Sequence, residues 1–126
     1  MKDQRFLVVD DEHSVADFIQ TVIELEGGIA VVAATGERAS QCLRTDGPFD
    51  LMVLDLSLPD MSGWDLLASV QDVLDGCKVV IFSAQLSEGD SKRALSAGVA
   101  SLLVKPVAAS ALRDALRSML DPPVGQ

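Results

Sequence analysis

Two short apolar runs of this chain end in aspartate. Residues 6–9 lead directly into Asp10 and Asp11, and residues 51–54 lead directly into Asp55. Short runs of this kind, rich in β-branched residues, are typical of strands buried in a parallel sheet. Because a carboxylate is costly to bury, these acids should lie at the carboxyl edge of the sheet, where open α/β sheets bind ligands. Three carboxylates gathered there repel one another, which favours a divalent cation among them.

Strand-like and helix-like patterns alternate along the whole chain. Ser14 is the expected N-cap of the first helix, and the third helix is expected to continue through Leu74 to near Gly76. The helix at residues 87–97 should be the least stable, because it contains Gly89. Alternation of this kind indicates βαβ units, which require a parallel sheet with right-handed crossovers. Strands are predicted at residues 5–10, 29–34, 51–55, 79–82 and 100–104.

Length and composition limit the kind of protein that this chain can be. Its 126 residues, 48% of them hydrophobic, predict one domain. Asp121-Pro122-Pro123 is expected to end the last helix, so the domain is assigned to residues 1–120 and residues 121–126 are expected to be a tail or the start of a linker. The formal net charge of −9 argues against direct binding to nucleic acid or to an anionic membrane. A cytoplasmic location is expected, since neither a signal-peptide pattern nor a membrane-spanning apolar stretch is found. Cys42 and Cys77 lack the spacing of a zinc site or a disulfide framework, so reduced thiols are expected.

Polar residues also mark the ends of the last two predicted strands. Ser83 ends the fourth strand and Lys105 follows the fifth, so both should join the acids at the same sheet edge. Mg²⁺ is commonly held by one or two carboxylates together with waters and phosphate oxygens. A carboxylate can also be the nucleophile that forms an aspartyl-phosphate, in a reaction that depends on charge neutralisation and alignment. In such a reaction Lys105 would neutralise charge on the phosphoryl group, and Ser83 would donate its hydroxyl to it.

Taken together, these motifs resemble those of a known family. They comprise Asp10-Asp11, Asp55-Leu56-Ser57-Leu58-Pro59-Asp60-Met61-Ser62-Gly63, Ser83-Ala84 and Lys105-Pro106. In this order and spacing they resemble the receiver domain of two-component response regulators, over essentially the whole chain. The resemblance implies an α/β fold of the flavodoxin-like receiver type. This fold is a single doubly wound parallel sheet of five strands, in the order 2-1-3-4-5, with helices on both faces.

The resemblance also implies a function in two-component signal transduction. Asp55 would accept a phosphoryl group from the phosphohistidine of a sensor histidine kinase, or from a phosphotransfer protein, in a reaction that depends on magnesium (Mg²⁺). Phosphorylation would then switch the binding of a downstream effector domain or protein, which the sequence does not identify. The resemblance leaves open whether phosphorylation causes dimerisation.

Individual site residues follow from the same resemblance. Asp11 would bind Mg²⁺ directly and Asp10 mainly through water, with Asp55 and the backbone carbonyl of Ser57 as further ligands. Lys105 corresponds to the active-site lysine of the family, and its bond to Pro106 is expected to be cis.

Two positions correspond to the switch residues of the family. Ser83 matches the switch serine or threonine. Leu102 stands three residues before Lys105, where the family commonly has tyrosine or phenylalanine, and the chain contains no tyrosine at all. We therefore expect the phosphorylation chemistry to be retained, with the response resting on the Ser83 loop and the following helix.

The same residues also bear on other function classes. A pseudo-receiver, which keeps the fold as a protein-interaction module without the chemistry, is the main alternative, although the intact set of site residues speaks against it. A phosphatase of the haloacid dehalogenase type needs a second acid where this chain has Ser57. A flavodoxin is disfavoured because acids follow the first strand, where a phosphate would be held, and the P-loop motif is absent. The sequence therefore predicts a phosphoacceptor signalling domain and no enzyme beyond its own phosphotransfer and dephosphorylation.

Overall fold

The protein is described by a computed structural model that covers residues 1–120. The tail or linker predicted at residues 121–126 lies outside the described residues. Strands and helices alternate, as the sequence pattern predicts. The strands are β1 (Arg5–Val9), β2 (Ile29–Ala33), β3 (Leu51–Leu54), β4 (Lys78–Ser83) and β5 (Ser101–Val104). The helices are α1 (His13–Leu25), α2 (Gly36–Thr45), α3 (Gly63–Ser69), α4 (Glu88–Ala97) and α5 (Ala109–Leu120).

The five strands form one parallel sheet in the order β2-β1-β3-β4-β5. This order and the two layers of helices confirm the predicted doubly wound fold. The register aligns the carboxyl ends of the central strands, since Val9 of β1 lies opposite Leu54 of β3. On the other side of β3, Ser83 of β4 lies opposite Val104 of β5. The residues that follow these ends therefore emerge side by side at one edge of the sheet.

Two hydrophobic clusters cover the two faces of the sheet. Alternate side chains of β1 point to opposite faces, so that Leu7 and Val9 belong to one cluster while Phe6 and Val8 belong to the other. Helices α2, α3 and α4 cover the first face, and α1 and α5 cover the second. Full burial of a large aliphatic or aromatic side chain contributes roughly 1.5–3 kcal/mol. Because the side chains of the central strands are buried on both faces of the sheet, these strands hold the acids at their ends in fixed positions.

Helix α3 is shorter than the sequence pattern predicts. The apolar spacing suggested one helix to near Gly76, but α3 ends at Ser69 and a 3₁₀ turn follows at Gln71–Val73. The Ser69 hydroxyl donates to the carbonyl of Leu66, and the Gln71 side chain donates to the carbonyl of Leu67. Local side-chain bonds of this kind compete with the continuing helical ladder.

Helix α1 begins two residues earlier than expected. Its first residue is His13, and the N-cap position is Glu12, whose side chain makes no capping bond, so the prediction of Ser14 as N-cap is wrong. The turn into the helix is held instead by Asp10, which accepts a hydrogen bond from the backbone N–H of Glu12 at 2.9 Å. A strand-end acid therefore also shapes the loop that leads to Asp11.

Two smaller sequence-based expectations concern the thiols and the membrane. Cys42 is buried, Cys77 is half-buried, and both are free thiols. Burial raises the pKa of Cys77 to about 11, so that this thiol remains protonated at neutral pH. Within residues 1–120, none of the helices has the length and apolarity needed to span a membrane.

Candidate functional site: an acidic cleft at the carboxyl edge of the sheet

Three aspartates meet at the carboxyl edge of the sheet. Asp10 follows β1 and Asp55 follows β3, and both residues are almost completely buried, with exposed fractions of 3% and 5%. Asp11 lies beside them and is exposed. One carboxylate oxygen from each of the three lies within 4.8 Å of the others. Hard oxygen ligands at this spacing could hold a metal ion, as the sequence predicts for this edge.

Lys105 supplies the positive charge within this cluster. It follows β5, and its ammonium group lies 2.8 Å from Oδ2 of Asp10 and 3.2 Å from Oδ2 of Asp55. Burial by itself lowers the pKa of Lys105, but hydrogen bonds and charge attraction from both aspartates outweigh this effect and raise the pKa overall. Lys105 therefore stays charged and partly offsets the repulsion between the buried acids. Its peptide bond to Pro106 is cis, as expected.

The second oxygen of Asp55 is held by the neighbouring loops. Oδ1 accepts a hydrogen bond from the backbone N–H of Ser57 at 3.2 Å and one from the hydroxyl of Ser83 at 3.4 Å. Ser83 is buried at the end of β4, which places its hydroxyl between Asp55 and the loop that leads to α4. The structure thus brings together Asp10, Asp11, Asp55, Ser83 and Lys105, as the strand-end pattern predicts.

The loop after Asp55 folds back on itself as a narrow hairpin. Ser57 and Ser62 form an isolated antiparallel bridge, and the N–H of Gly63 donates to the carbonyl of Leu56 at 2.8 Å. Among the backbone hydrogen bonds between residues 1–120, none ends on the Ser57 carbonyl. Ser57 is also one of the residues that line the cleft.

Gly63 allows this hairpin to lie directly against Asp55. A Cβ atom at position 63 would lie 2.8 Å from the backbone oxygen of Asp55 and 3.0 Å from Cα of Leu56. Both of these atoms belong to the backbone and cannot rotate away. The close approach of the loop to the site therefore requires glycine at this position.

Replacing Gly63 with alanine is expected to lower the free energy of unfolding by about 1–3 kcal/mol, because the new methyl group overpacks the Asp55 backbone. Urea unfolding monitored by circular dichroism measures this loss. The matched control is Gly89→Ala, since a Cβ there meets only the Ser87 hydroxyl, at 3.6 Å. This control should raise stability by up to about 1 kcal/mol. Equal stability of Gly63→Ala and the parent would contradict the close approach.

The cleft above the aspartates is open and has a volume of about 570 Å³. Its walls include Asp11, Ser57 and Lys105, together with Trp64 and Asp90 from the helices on either side. Trp64 is only 8% exposed, so its ring is a largely buried part of the cleft wall. Ala84, beside Ser83, also lines the cleft and contributes only a methyl group to its wall. A small anion carrying a larger leaving group could therefore reach Asp55.

A contact between α3 and α4 closes one side of the cleft. The indole N–H of Trp64 donates to Oδ1 of Asp90 at 3.3 Å, and the Arg93 guanidinium lies 5.2 Å from the ring centre. Asp90 also forms a capping box with Ser87 at the start of α4. The Ser87 backbone N–H, and further the Trp64 indole, hold the pKa of Asp90 below its ordinary value. The sequence interpretation missed this contact, although Ser87-x-x-Asp90 is itself a recognisable capping signal.

Leu102 lies next to α4 and not in the cleft. It is half-buried on β5, opposite Ile81 of β4, and packs in the same hydrophobic cluster as Ala94 of α4. Ala94 is the one buried residue of α4, whereas each of the other four α-helices buries two or more, so α4 is the most lightly anchored of these helices. Leu102 is thus placed to respond to movement of α4, whereas Ser83 touches Asp55 itself.

Comparisons with known proteins agree with this geometry. The family model of the response regulator receiver domain matches residues 6–117. The response regulator SaeR of Staphylococcus epidermidis is 32% identical over 100 residues, which cover 79% of this chain and 43% of that protein. The transcriptional regulatory protein KdpE of Mycobacterium tuberculosis is 34% identical over 100 residues, with the same coverage. The chain therefore matches less than half the length of these two relatives.

Solved structures show the same fold. A CheY-like receiver domain protein from Methanospirillum hungatei superposes with a TM-score of 0.89, at 29% identity and 95% coverage of both chains. The receiver domain of the Francisella response regulator 1452 superposes with a TM-score of 0.83, at 28% identity, covering 94% of this chain and 97% of that one. The chain therefore carries its acidic edge on the same fold as these receiver domains.

Proposed function

The chain belongs to the response regulator receiver domain family, and from this premise we propose that Asp55 is its phosphoacceptor. The observation that carries the proposal is the position of the Asp55 carboxylate, buried at the end of β3 in contact with Lys105 and Ser83. In the transfer, an oxygen of Asp55 forms a bond to phosphorus while the bond from phosphorus to the donor histidine nitrogen breaks. The electron pair of that bond leaves with the imidazole.

Mg²⁺ is the metal that this site would hold. The proposed ligands are Asp10, Asp11, Asp55 and the backbone carbonyl of Ser57. All are hard oxygen donors, and a single lysine among three carboxylates leaves negative charge for a cation to balance. When bound, Mg²⁺ supplies charge neutralisation for the transferring phosphoryl group.

Lys105 and Ser83 give the domain two states. Before transfer, Lys105 binds the carboxylates of Asp10 and Asp55. After transfer, it binds a phosphoryl oxygen, and the Ser83 hydroxyl donates to another. A modification shifts an equilibrium only through contacts that differ between its states, and these two residues change their contacts. Since position 102 is leucine and not an aromatic residue, the response is carried mainly by the Ser83 loop and α4.

The biological setting follows from the family in outline. A sensor histidine kinase or a phosphotransfer protein supplies the phosphoryl group in the cytoplasm, and the phosphorylated state changes the binding of an effector. The receiver domain comprises residues 1–120, and it acts as a signalling domain and not as an enzyme on other substrates. The effector can be a domain of a longer protein, as the partial coverage of SaeR and KdpE suggests.

Site mapping with a small phosphodonor tests the proposal. The protein is incubated with acetyl phosphate and Mg²⁺ and then treated with borohydride, which reduces an aspartyl-phosphate to homoserine. Peptide mass mapping is expected to find homoserine at position 55 and nowhere else, and an arm with EDTA should show none. Modification at another aspartate would contradict the assignment, and no modification at all would favour the pseudo-receiver alternative.

A further inference from the structure

Asp60 connects the loop after Asp55 to a different helix. It lies near the tip of the hairpin, and its two carboxylate oxygens accept the backbone N–H groups of Gly36 and Glu37, each at 2.9 Å. These are the first two residues of α2, whose N–H groups have no partner within the helix and carry its positive end. The same two bonds hold the pKa of Asp60 below its ordinary value.

Helix α2 has its own capping residue as well. The hydroxyl of Thr35 accepts the N–H of Arg38 at 3.0 Å. Thr35 and Asp60 therefore satisfy different N–H groups of the same helix end. A role for Asp60 in holding the hairpin can thus be separated by experiment from a role in stabilising α2.

A second contact fixes the hairpin at the same point. Gly36 has no side chain, and a Cβ there would lie 2.5 Å from Cγ and Sδ of Met61. Met61 is half-buried and packs against the hydrophobic cluster under α2 and α3. The tip of the hairpin is therefore held by two charge-assisted hydrogen bonds and by apolar packing.

The other end of the hairpin carries a proposed metal ligand. Ser57 and Ser62 pair across the hairpin, so that a displacement of the tip moves both of its arms. We propose that Asp60 is a positioning residue, which holds the Ser57 carbonyl at the cleft by binding the start of α2. This inference rests on the proposed function, because it assigns Ser57 to the Mg²⁺ site. Groups that orient metal ligands affect affinity although they do not touch the metal.

The test compares Asp60→Ala with Thr35→Ala and Asp60→Asn. Mg²⁺ binding is measured by the fluorescence of Trp64, the single tryptophan of the chain, and amide exchange is measured on the metal-free proteins. Asp60→Ala should weaken Mg²⁺ binding about tenfold, and should speed amide exchange in the hairpin. Thr35→Ala should lose stability by removal of a cap, while its Mg²⁺ affinity and hairpin exchange remain within about twofold of the parent. The Mg²⁺ affinity of Asp60→Asn should lie between those of the parent and Asp60→Ala, because the single amide oxygen can accept only one of the two hydrogen bonds.

Three outcomes would overturn the inference. Asp60→Ala could bind Mg²⁺ as tightly as the parent, or Thr35→Ala could weaken binding equally, which would show an effect of helix stability alone. Equal losses in Asp60→Asn and Asp60→Ala would show an effect of charge alone. If the parent itself binds no Mg²⁺, the proposed function fails at its metal site. In that case amide exchange still tests the role of Asp60. Faster exchange in the hairpin of Asp60→Ala than in that of Thr35→Ala would support it, and equal exchange would contradict it.

Discussion

The Asp55→Asn variant is expected to accept no phosphoryl group from acetyl phosphate, whereas the parent accepts one group per chain. Asparagine has nearly the shape of aspartate, and its amide oxygen can still accept the Ser57 N–H and the Ser83 hydroxyl. The amide is a poor nucleophile, however, and cannot form the acyl phosphate. Intact-mass measurement after incubation with Mg²⁺ should therefore find the adduct on the parent and none on the variant.

The matched control for this loss is Asp65→Asn. Asp65 is an exposed aspartate in the first turn of α3, close to the site in sequence but not among the residues that line the cleft. This variant should be phosphorylated to the same extent as the parent. A full adduct on Asp55→Asn would mean that another side chain is the acceptor, and an equal loss in Asp65→Asn would mean that the effect is not specific to the site.

The Lys105→Met variant is expected to lose about 3 kcal/mol of folding free energy in the absence of Mg²⁺. Methionine keeps the apolar stem but removes the charge that lies between Asp10 and Asp55, so that two buried carboxylates face each other without a cation. The protein should still fold, since small domains have roughly 5–15 kcal/mol of stability. Added Mg²⁺ should restore most of the loss, because it binds the folded state more tightly when Lys105 does not compete. Urea unfolding with and without Mg²⁺ measures both effects.

Two further variants define what the Lys105 result means. Lys92 is exposed on α4, and Lys92→Met should change stability by less than about 0.5 kcal/mol. In Lys105→Met combined with Asp10→Asn, one of the opposed charges is gone, so the double variant should be more stable than Lys105→Met alone. A loss of folding free energy below about 1 kcal/mol in Lys105→Met would contradict this prediction. It would show that the ion pairs of Lys105 are as weak as those on protein surfaces.

The site was predictable from the sequence to the extent that it depends on strand ends. Asp10, Asp55 and Lys105 each follow a short apolar run, and in a parallel sheet such residues must emerge at one edge. These residues are far apart in the sequence, but the parallel sheet places the carboxyl ends of their strands at the same edge. The same reasoning located Ser83, whose hydroxyl lies within hydrogen-bonding distance of Asp55.

Contacts between helices and loops could not be predicted in this way. The hydrogen bonds that Gly36 donates to Asp60 and that Trp64 donates to Asp90 join residues 24 and 26 positions apart, in elements whose relative positions depend on packing. The apolar spacing also fails to predict the end of α3, because it continues beyond the point where polar side chains interrupt the helix. Periodicity reports which face of a segment is buried, and it says little about such side-chain competition.

The ion pair between Lys105 and Asp10 joins residues 95 positions apart, and this separation has a consequence for the synthesis of the protein. A chain is synthesised from its N-terminus, so Asp10 and Asp55 are both made before Lys105. Until β5 joins the sheet, a partly folded chain would have to bury carboxylates that have no cation beside them. An incomplete chain therefore gains little from closing this edge of the sheet. The acidic edge with its ion pairs is therefore completed only after Lys105 has been made and β5 has joined the sheet.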